Sequence, residues 1–250
     1  MRSVSIVGIG GTVRAESSSE IALRVALDAC AQAGCETTLL GASAIALPFY
    51  DPSKASGSAS ASQLLSAIRR ADGLIISSPG YHGGISGLVK NALDWLEEMA
   101  HDRRQYLDGM PVGCISVAKG AQGSVGTLAS LRAVVHTLRG FPTPLGVAIS
   151  ATPGVFTSGD CADADVRGRL TSLGRQVGDF ATRLRAADDH SNGQHTRYGH
   201  RDTDVALRPN GVPTVRSALA SNEKPVSLVA ADGVEPLRVG DLPMGSSRRS

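Results

Sequence analysis

The sequence predicts an α/β protein, doubly wound around a five-stranded parallel sheet. Three observations predict it. Short β-branched or apolar runs alternate with longer segments of helical period over residues 1–190, which is how a parallel sheet with crossover helices reads. The third run, GLIIS at residues 73–77, is almost wholly apolar, as strands buried on both faces are. Small-residue loops follow the first, third and fourth runs, at the carboxyl edge where such sheets bind ligands.

VSIVG (residues 4–8) is the first strand, and residues 18–33 the first helix, with Ile21, Val25 and Ala29 on one face and Gly34 as its stop. ETTLL (36–40) is the second strand. The loop after it, GASAIALPFYDPSKASGSAS, is too rich in glycine, proline and serine for regular structure over most of its length, and long loops in compact domains are often functional. Residues 63–70 make a short second helix before the third strand. The third helix, about 86–100, carries Leu88, Val89, Ala92, Leu93, Trp95, Leu96 and Met99 around more than one stripe, so it must be buried on two sides, inside the monomer or against another subunit. A homodimer or homotetramer is therefore expected. VGCISVA (112–118) is the fourth strand, 124–138 the fourth helix and LGVAI (145–149) the fifth strand. The last helix spaces Val166, Leu170, Leu173, Val177, Phe180 and Leu184 at alternating steps of four and three.

Two domains are expected: residues 1–190 as the folded body and 191–250 as a polar, mostly disordered tail. The tail holds five of the twelve prolines and one aromatic residue, Tyr198, and VSLVA (226–230) is its only candidate strand. A net charge of +2 is too small to argue for nucleic acid or an anionic membrane. No apolar run of spanning length and no leader pattern is read, so a cytoplasmic protein is expected. Cys30, Cys35, Cys114 and Cys161 lack metal or redox spacing and read as small buried hydrophobes. His190, His195 and His200 recur every five residues, which does not keep them on one face, so no metal site is expected.

GIGGTVRAESSSE (8–20) joins the first strand to the first helix. A glycine-rich turn there is where doubly wound folds bind phosphate, because helix amides and dipole favour an anion. Neither common fingerprint fits: G-x-G-x-x-G would need glycine where Val13 stands, and a P-loop would need G-K-[ST]. Thr12, Arg14, Ser17 and Ser19 remain, hydroxyls and a guanidinium able to surround a terminal phosphate monoester. SPGYHGGISGLVKNALDW (78–95) begins where the third strand is expected to end; if the strand order is 2-1-3-4-5, it lies on the same edge, and the crevice beside strands 1 and 3 suits a mononucleotide. There Pro79, Gly80, Gly83 and Gly84 would admit a flat ring, with Tyr81 as an aromatic surface. AKGAQGSVG (118–126) could close the far side of that ring.

These stretches resemble the NAD(P)H-dependent FMN reductases of flavodoxin-like fold, which include flavin, quinone, azo-dye and chromate reductases. GGTVRAESSS matches that family's G-[ST]-x-R-x-x-S loop, LPFYDP follows the second strand, and SPGYHGGISGLVKNALDW matches its P-x-Y-x-x-x-[IY]-x-G-x-x-K-N-x-[IL]-D-W pattern. The later glycine loop leads into Leu131 and Arg132, and the resemblance covers about residues 3–185. It implies the strand order 2-1-3-4-5, and that Thr12, Arg14, Ser17 and Ser19 hold the FMN phosphate. It also implies that Pro79, Tyr81, His82, Gly83 and Ile85 border the isoalloxazine, with Gly120 and Gly123 on its other edge. Many members have an acidic residue where this chain has Gly80 and asparagine where it has His82. The flavin carries its own chemistry, so no catalytic side chain is expected. The implied activity is hydride transfer from NAD(P)H to FMN, with a small-molecule electron acceptor or a flavin-dependent monooxygenase as partner. The alternatives are an FMN-bound reductase of quinones, azo compounds or metal oxyanions, and a flavodoxin-type electron carrier without turnover. Such carriers are usually strongly acidic, unlike this balanced body.

Overall fold

Parallel strands buried on both faces need helices on both sides, and the chain supplies them by alternation. The computed structural model describes residues 2–14, 16–54, 58–157 and 159–193. In chain order it contains β1 (Ser5–Gly10), α1 (Ser18–Gln32), β2 (Glu36–Leu40), α2 (Ala42–Ile45), α3 (Ala59–Arg70), β3 (Gly73–Tyr81) and β4 (Gly84–Ile85). There follow α4 (Gly87–Asp94), a 3-10 turn (Trp95–Met99), β5 (Pro111–Ala118), α5 (Ala121–Thr137), β6 (Phe141–Pro142), β7 (Val147–Ser150), β8 (Phe156–Thr157), β9 (Asp160–Cys161) and α6 (Ala164–Gly193).

The sheet runs β2-β1-β3-β5 in parallel, and both β6 and β7 pair with β5. β6 takes Pro111 and Val112 while β7 takes Ile115 to Ala118, so they are two pieces of one edge. Pro142, which ends β6, and Pro144, inside the break, have no N–H for a ladder. With β5 as the expected fourth strand and β7 as the fifth, the order 2-1-3-4-5 is present. β4 folds back on β3 as a short antiparallel addition that the sequence does not announce.

Alternating side chains of the central strands feed two cores. Val7, Leu74, Ile76, Val112 and Cys114 face α3, α4 and α5, whereas Ile6, Ile75, Ile115 and Val117 face α1 and α6. The latter pair lies so close that a Cβ on Gly174 would come within 2.1 Å of Ala26 O, and only glycine permits that approach. The apolar circumference of α4 and the following turn is covered within this chain: Val89, Ala92, Leu93, Trp95, Leu96 and Met99 are all buried in the first core. The two-sided burial therefore needs no second subunit to account for it.

Several boundaries move. β3 extends four residues past the expected end because Pro79 still pairs with β5 and Gly80 and Tyr81 pair with β4. α3 starts at Ala59, capped by Ser58, whose Oγ accepts from Ala61 N. The expected third helix splits into α4 and the 3-10 turn, and the long loop after β2 contains α2. Phe180 and Leu184 continue the apolar row of α6 yet are 39% and 42% exposed. By Arg185 the helix reaches Ser3 and Asp72, which precede β1 and β3, so it has run out of sheet to cover. No helix among the described residues is long and apolar enough to cross a membrane. The tail, with VSLVA and with His195 and His200, lies outside the described residues, as does the side chain of His190.

Candidate functional site

β1, β3 and β5 deliver their following loops to one edge of the sheet, and buried hydroxyls fasten them there. Ser77 Oγ, at the register position of Gly10, donates to Ser19 O in the first turn of α1 at 2.7 Å. Ser116 Oγ on β5 donates to Ser124 O in the first turn of α5 at 2.6 Å. Both serines are fully buried. These two bonds fix the amino end of α1 against β3, the neighbour of its own strand, and that of α5 against β5, the strand whose loop it continues.

The first loop closes on α1 through Ser17, its N-cap, whose Oγ accepts from Glu20 N at 3.4 Å and lies 3.2 Å from Ser19 Oγ. Ser17 and Ser19 are both 2% exposed. Thr12 Oγ1 accepts from Arg14 N and donates to Arg14 O, each at 3.2 Å, so it shapes the backbone that carries the guanidinium. Arg14 itself is exposed and has no ion-pair partner among the described residues. A guanidinium with no ion-pair partner among the described residues, the Ser17 hydroxyl and the amide end of a 15-residue helix are the kind of donors a phosphate takes, with Thr12 and Ser19 engaged in supporting bonds.

The second loop is a tight hairpin. Gly80 pairs with Ile85 and Tyr81 with Gly84, leaving a two-residue tip, His82 and Gly83, with φ of +52° and +81°. Positive φ at both tip positions is the hairpin turn whose twist matches its strands. Histidine tolerates that region better than most side chains. Ser78 Oγ accepts from Ser86 N at 3.0 Å and closes the base. Pro79 is therefore buried inside β3, Tyr81 and His82 are exposed at the hairpin end, and Ile85 is half-buried. The third loop is short: Gly120 caps α5, and Gly123 lies in its first turn. Thr127, fully buried in the second turn of α5, donates from Oγ1 to Gly84 O at 3.2 Å, so the second loop touches the helix that follows the third. The site residues expected from the sequence thus lie in or beside the loops of one edge, with Pro79, Tyr81, Ile85 and Gly123 on regular elements instead of loops.

Several residues that build this edge are not among the site residues expected from the sequence, although some of them stand inside the quoted motifs. Asn91 is one. Its Nδ2 donates to Leu47 O (3.1 Å) and Pro48 O (2.9 Å), and its Oδ1 accepts from Tyr50 N (2.9 Å). Trp95 Nε1 also donates to Pro48 O (3.0 Å), and the Trp95 ring meets Tyr50 edge-on, with centroids 5.4 Å apart. KNALDW therefore clamps LPFY, leaving Phe49 88% exposed at the crest of the loop. Burial and the Glu98 carboxylate, which accepts the Tyr50 hydroxyl at 3.0 Å, push that phenol up to about 12. Serines in buried strands were the readable hint of Ser77, Ser78 and Ser116, since a polar side chain in a two-faced strand must find a partner.

All four cysteines are free thiols; Cys30, Cys114 and Cys161 are buried and Cys35 is half-buried. Burial pushes the Cys30 and Cys114 thiols up to about 12, far from the reactive thiolate range. Among the described residues no cluster of His, Cys, Asp or Glu could hold a metal ion.

Residues 4–153 match the family model described as NADPH-dependent FMN reductase. An FMN-dependent NADPH-azoreductase of Staphylococcus haemolyticus is 37% identical over 81 residues, 32% of this chain and 39% of the relative. The corresponding protein of Staphylococcus aureus is 40% identical over 78 residues, and the match spans 38% of its length and 31% of this chain. FerB, a flavoenzyme NAD(P)H:acceptor oxidoreductase from Paracoccus denitrificans, superposes with a TM-score of 0.58 at 20% identity, over 72% of this chain and 98% of its own. An apo NADH:FMN oxidoreductase gives 0.53 at 21% identity, over 72% of this chain and 89% of its own. At that identity these structures support the flavodoxin-like fold alone.

Proposed function

The chain belongs to the NADPH-dependent FMN reductase family, and from that premise we propose that it is an NAD(P)H-dependent oxidoreductase that binds FMN at the carboxyl edge of its sheet. The observation that carries the proposal is an exposed arginine, Arg14, with no ion-pair partner among the described residues, three positions ahead of Ser17, the cap of α1. In this reading Thr12 holds the backbone of the Arg14 turn, Ser17 and the amides that follow it meet the phosphate, and Ser19 supports Ser17 from within. Tyr81, His82 and Gly83 on the hairpin end, with Pro79 and Ile85 behind them, border the ring. Gly120 and Gly123 leave the opposite edge open to it.

Bound there, FMN supplies a ring that accepts hydride from the reduced nicotinamide and returns the electrons to an acceptor. The chain's own part is to orient that ring and exclude competing reactions, so no side chain is assigned as acid or base. The exposed Tyr81 and His82 are the candidates for the nicotinamide or acceptor pocket. The final acceptor is a small molecule, or FMN itself leaves reduced to serve a monooxygenase. The similarity to FMN-dependent azoreductases favours the reading in which FMN stays bound and an azo compound or quinone is reduced. A cytoplasmic homodimer or homotetramer remains the expected assembly, without support from the apolar circumference of α4.

The test is the visible spectrum of the purified protein with FMN under anaerobic conditions, before and after stoichiometric NADPH. Rapid bleaching of the flavin band is expected. Bound flavin that stays oxidised would make the protein an electron carrier, and the absence of any flavin binding would refute the proposal. Flavin retained through gel filtration marks the bound-cofactor enzyme, and loss of it marks the diffusing-flavin enzyme.

A further inference from the structure

We infer that Thr127 is a positioning residue for the flavin site: its hydroxyl bolts the β3–β4 hairpin to α5 and so sets where Tyr81, His82 and Gly83 stand. The inference rests on the FMN-binding reading above. No expectation drawn from the sequence involved position 127.

Thr127 is fully buried, and its Oγ1 donates to Gly84 O at 3.2 Å. Gly84 pairs with Tyr81 across the hairpin, so the bond acts one residue from the tip. A Cβ added at Gly80 would lie 2.7 Å from Thr127 Oγ1 and 3.0 Å from Ala118 Cβ, and one added at Gly126 would lie 3.6 Å from Gly83 O. Hairpin and helix are thus in contact at Gly80, Gly83 and Gly84, and Thr127 has room for its hydroxyl only because position 80 is glycine. A two-residue hairpin alone is marginal in water. Its β4 strand has two residues, so the bond to α5 and the Ser78 bond to Ser86 N are what hold it.

Removing the hydroxyl while keeping the shape isolates this effect. Thr127→Val should weaken FMN binding about fivefold to tenfold, by one lost buried hydrogen bond and a carbonyl left short of a partner. Thr127→Ser should restore it, and the melting temperatures of all three proteins identify any variant that merely unfolds. FMN affinity is read from quenching of flavin fluorescence, and the visible band of the bound flavin should shift in the valine variant and return in the serine variant. Amide hydrogen exchange over residues 82–86 of the ligand-free protein is the second readout. It should be faster in Thr127→Val than in the wild type and normal in Thr127→Ser. If the wild type binds no FMN, the functional reading fails, and exchange alone decides the role of Thr127. Unchanged exchange in the valine variant overturns the inference, as does wild-type FMN affinity in that variant.

Discussion

Replacing Asn91 by alanine removes three hydrogen bonds at once, two donated to Leu47 O and Pro48 O and one accepted from Tyr50 N. Pro48 O keeps its bond from Trp95 Nε1, but Leu47 O and Tyr50 N lose the partner that held them. Three net contributions of about 1 kcal/mol each put the loss near 3 kcal/mol, less whatever the loop regains from water by opening. Phe49 already stands in solvent, so opening would proceed from that crest. Trp95 is the only tryptophan of the chain and packs on Tyr50 within the same clamp, which makes its fluorescence a local reporter. Urea unfolding of Asn91→Ala should show a loss of about 3 kcal/mol, with Trp95 emission shifted to the red in the folded baseline. Asn91→Asp keeps an acceptor for Tyr50 N but turns a carboxylate oxygen toward two carbonyls. Its deficit should therefore shrink in acid, where the protonated oxygen can donate again. A loss below about 1 kcal/mol in the alanine variant, with unchanged emission, would refute the account of the clamp.

Two further predictions concern charge. Arg14→Ala should leave stability unchanged, because the exposed guanidinium pairs with nothing among the described residues. It should weaken FMN binding by about tenfold or more while leaving riboflavin binding alone, as charge-assisted bonds to phosphate are worth about 1.5–3 kcal/mol; equal losses for both flavins would remove Arg14 from the phosphate site. Cys30 and Cys114 rise from an ordinary 9.0 to about 12 on burial, so between those values the native state holds protons that the unfolded state has released. Their stabilising contribution is intact through neutral pH and falls above pH 9, by up to about 1.4 kcal/mol per pH unit for each thiol. Cys114→Ala should halve that part of the slope in urea midpoints taken from pH 7 to 10.5, and an unaltered slope would show that the thiol ionises where it is.

By itself the sequence determined the alternation of strands and helices and the small-residue loops after the first, third and fourth strands. Those features are local: β-branched runs, loop glycines and glycine stops are written within a few neighbouring residues. The two-residue hairpin at His82 and Gly83 was less legible, because PGYHGGI reads equally well as an open loop until Tyr81 and Gly84 are seen to pair. The broken edge formed by β6 and β7, the burial of α4 within its own chain and the reach of Asn91 to a loop more than 40 residues away were decided only by tertiary structure. So was the fit of Thr127 against Gly80. Hydrogen bonds and close approaches between residues far apart in the chain have no period to leave in the sequence, since what selects them is the shape of the space that packing creates.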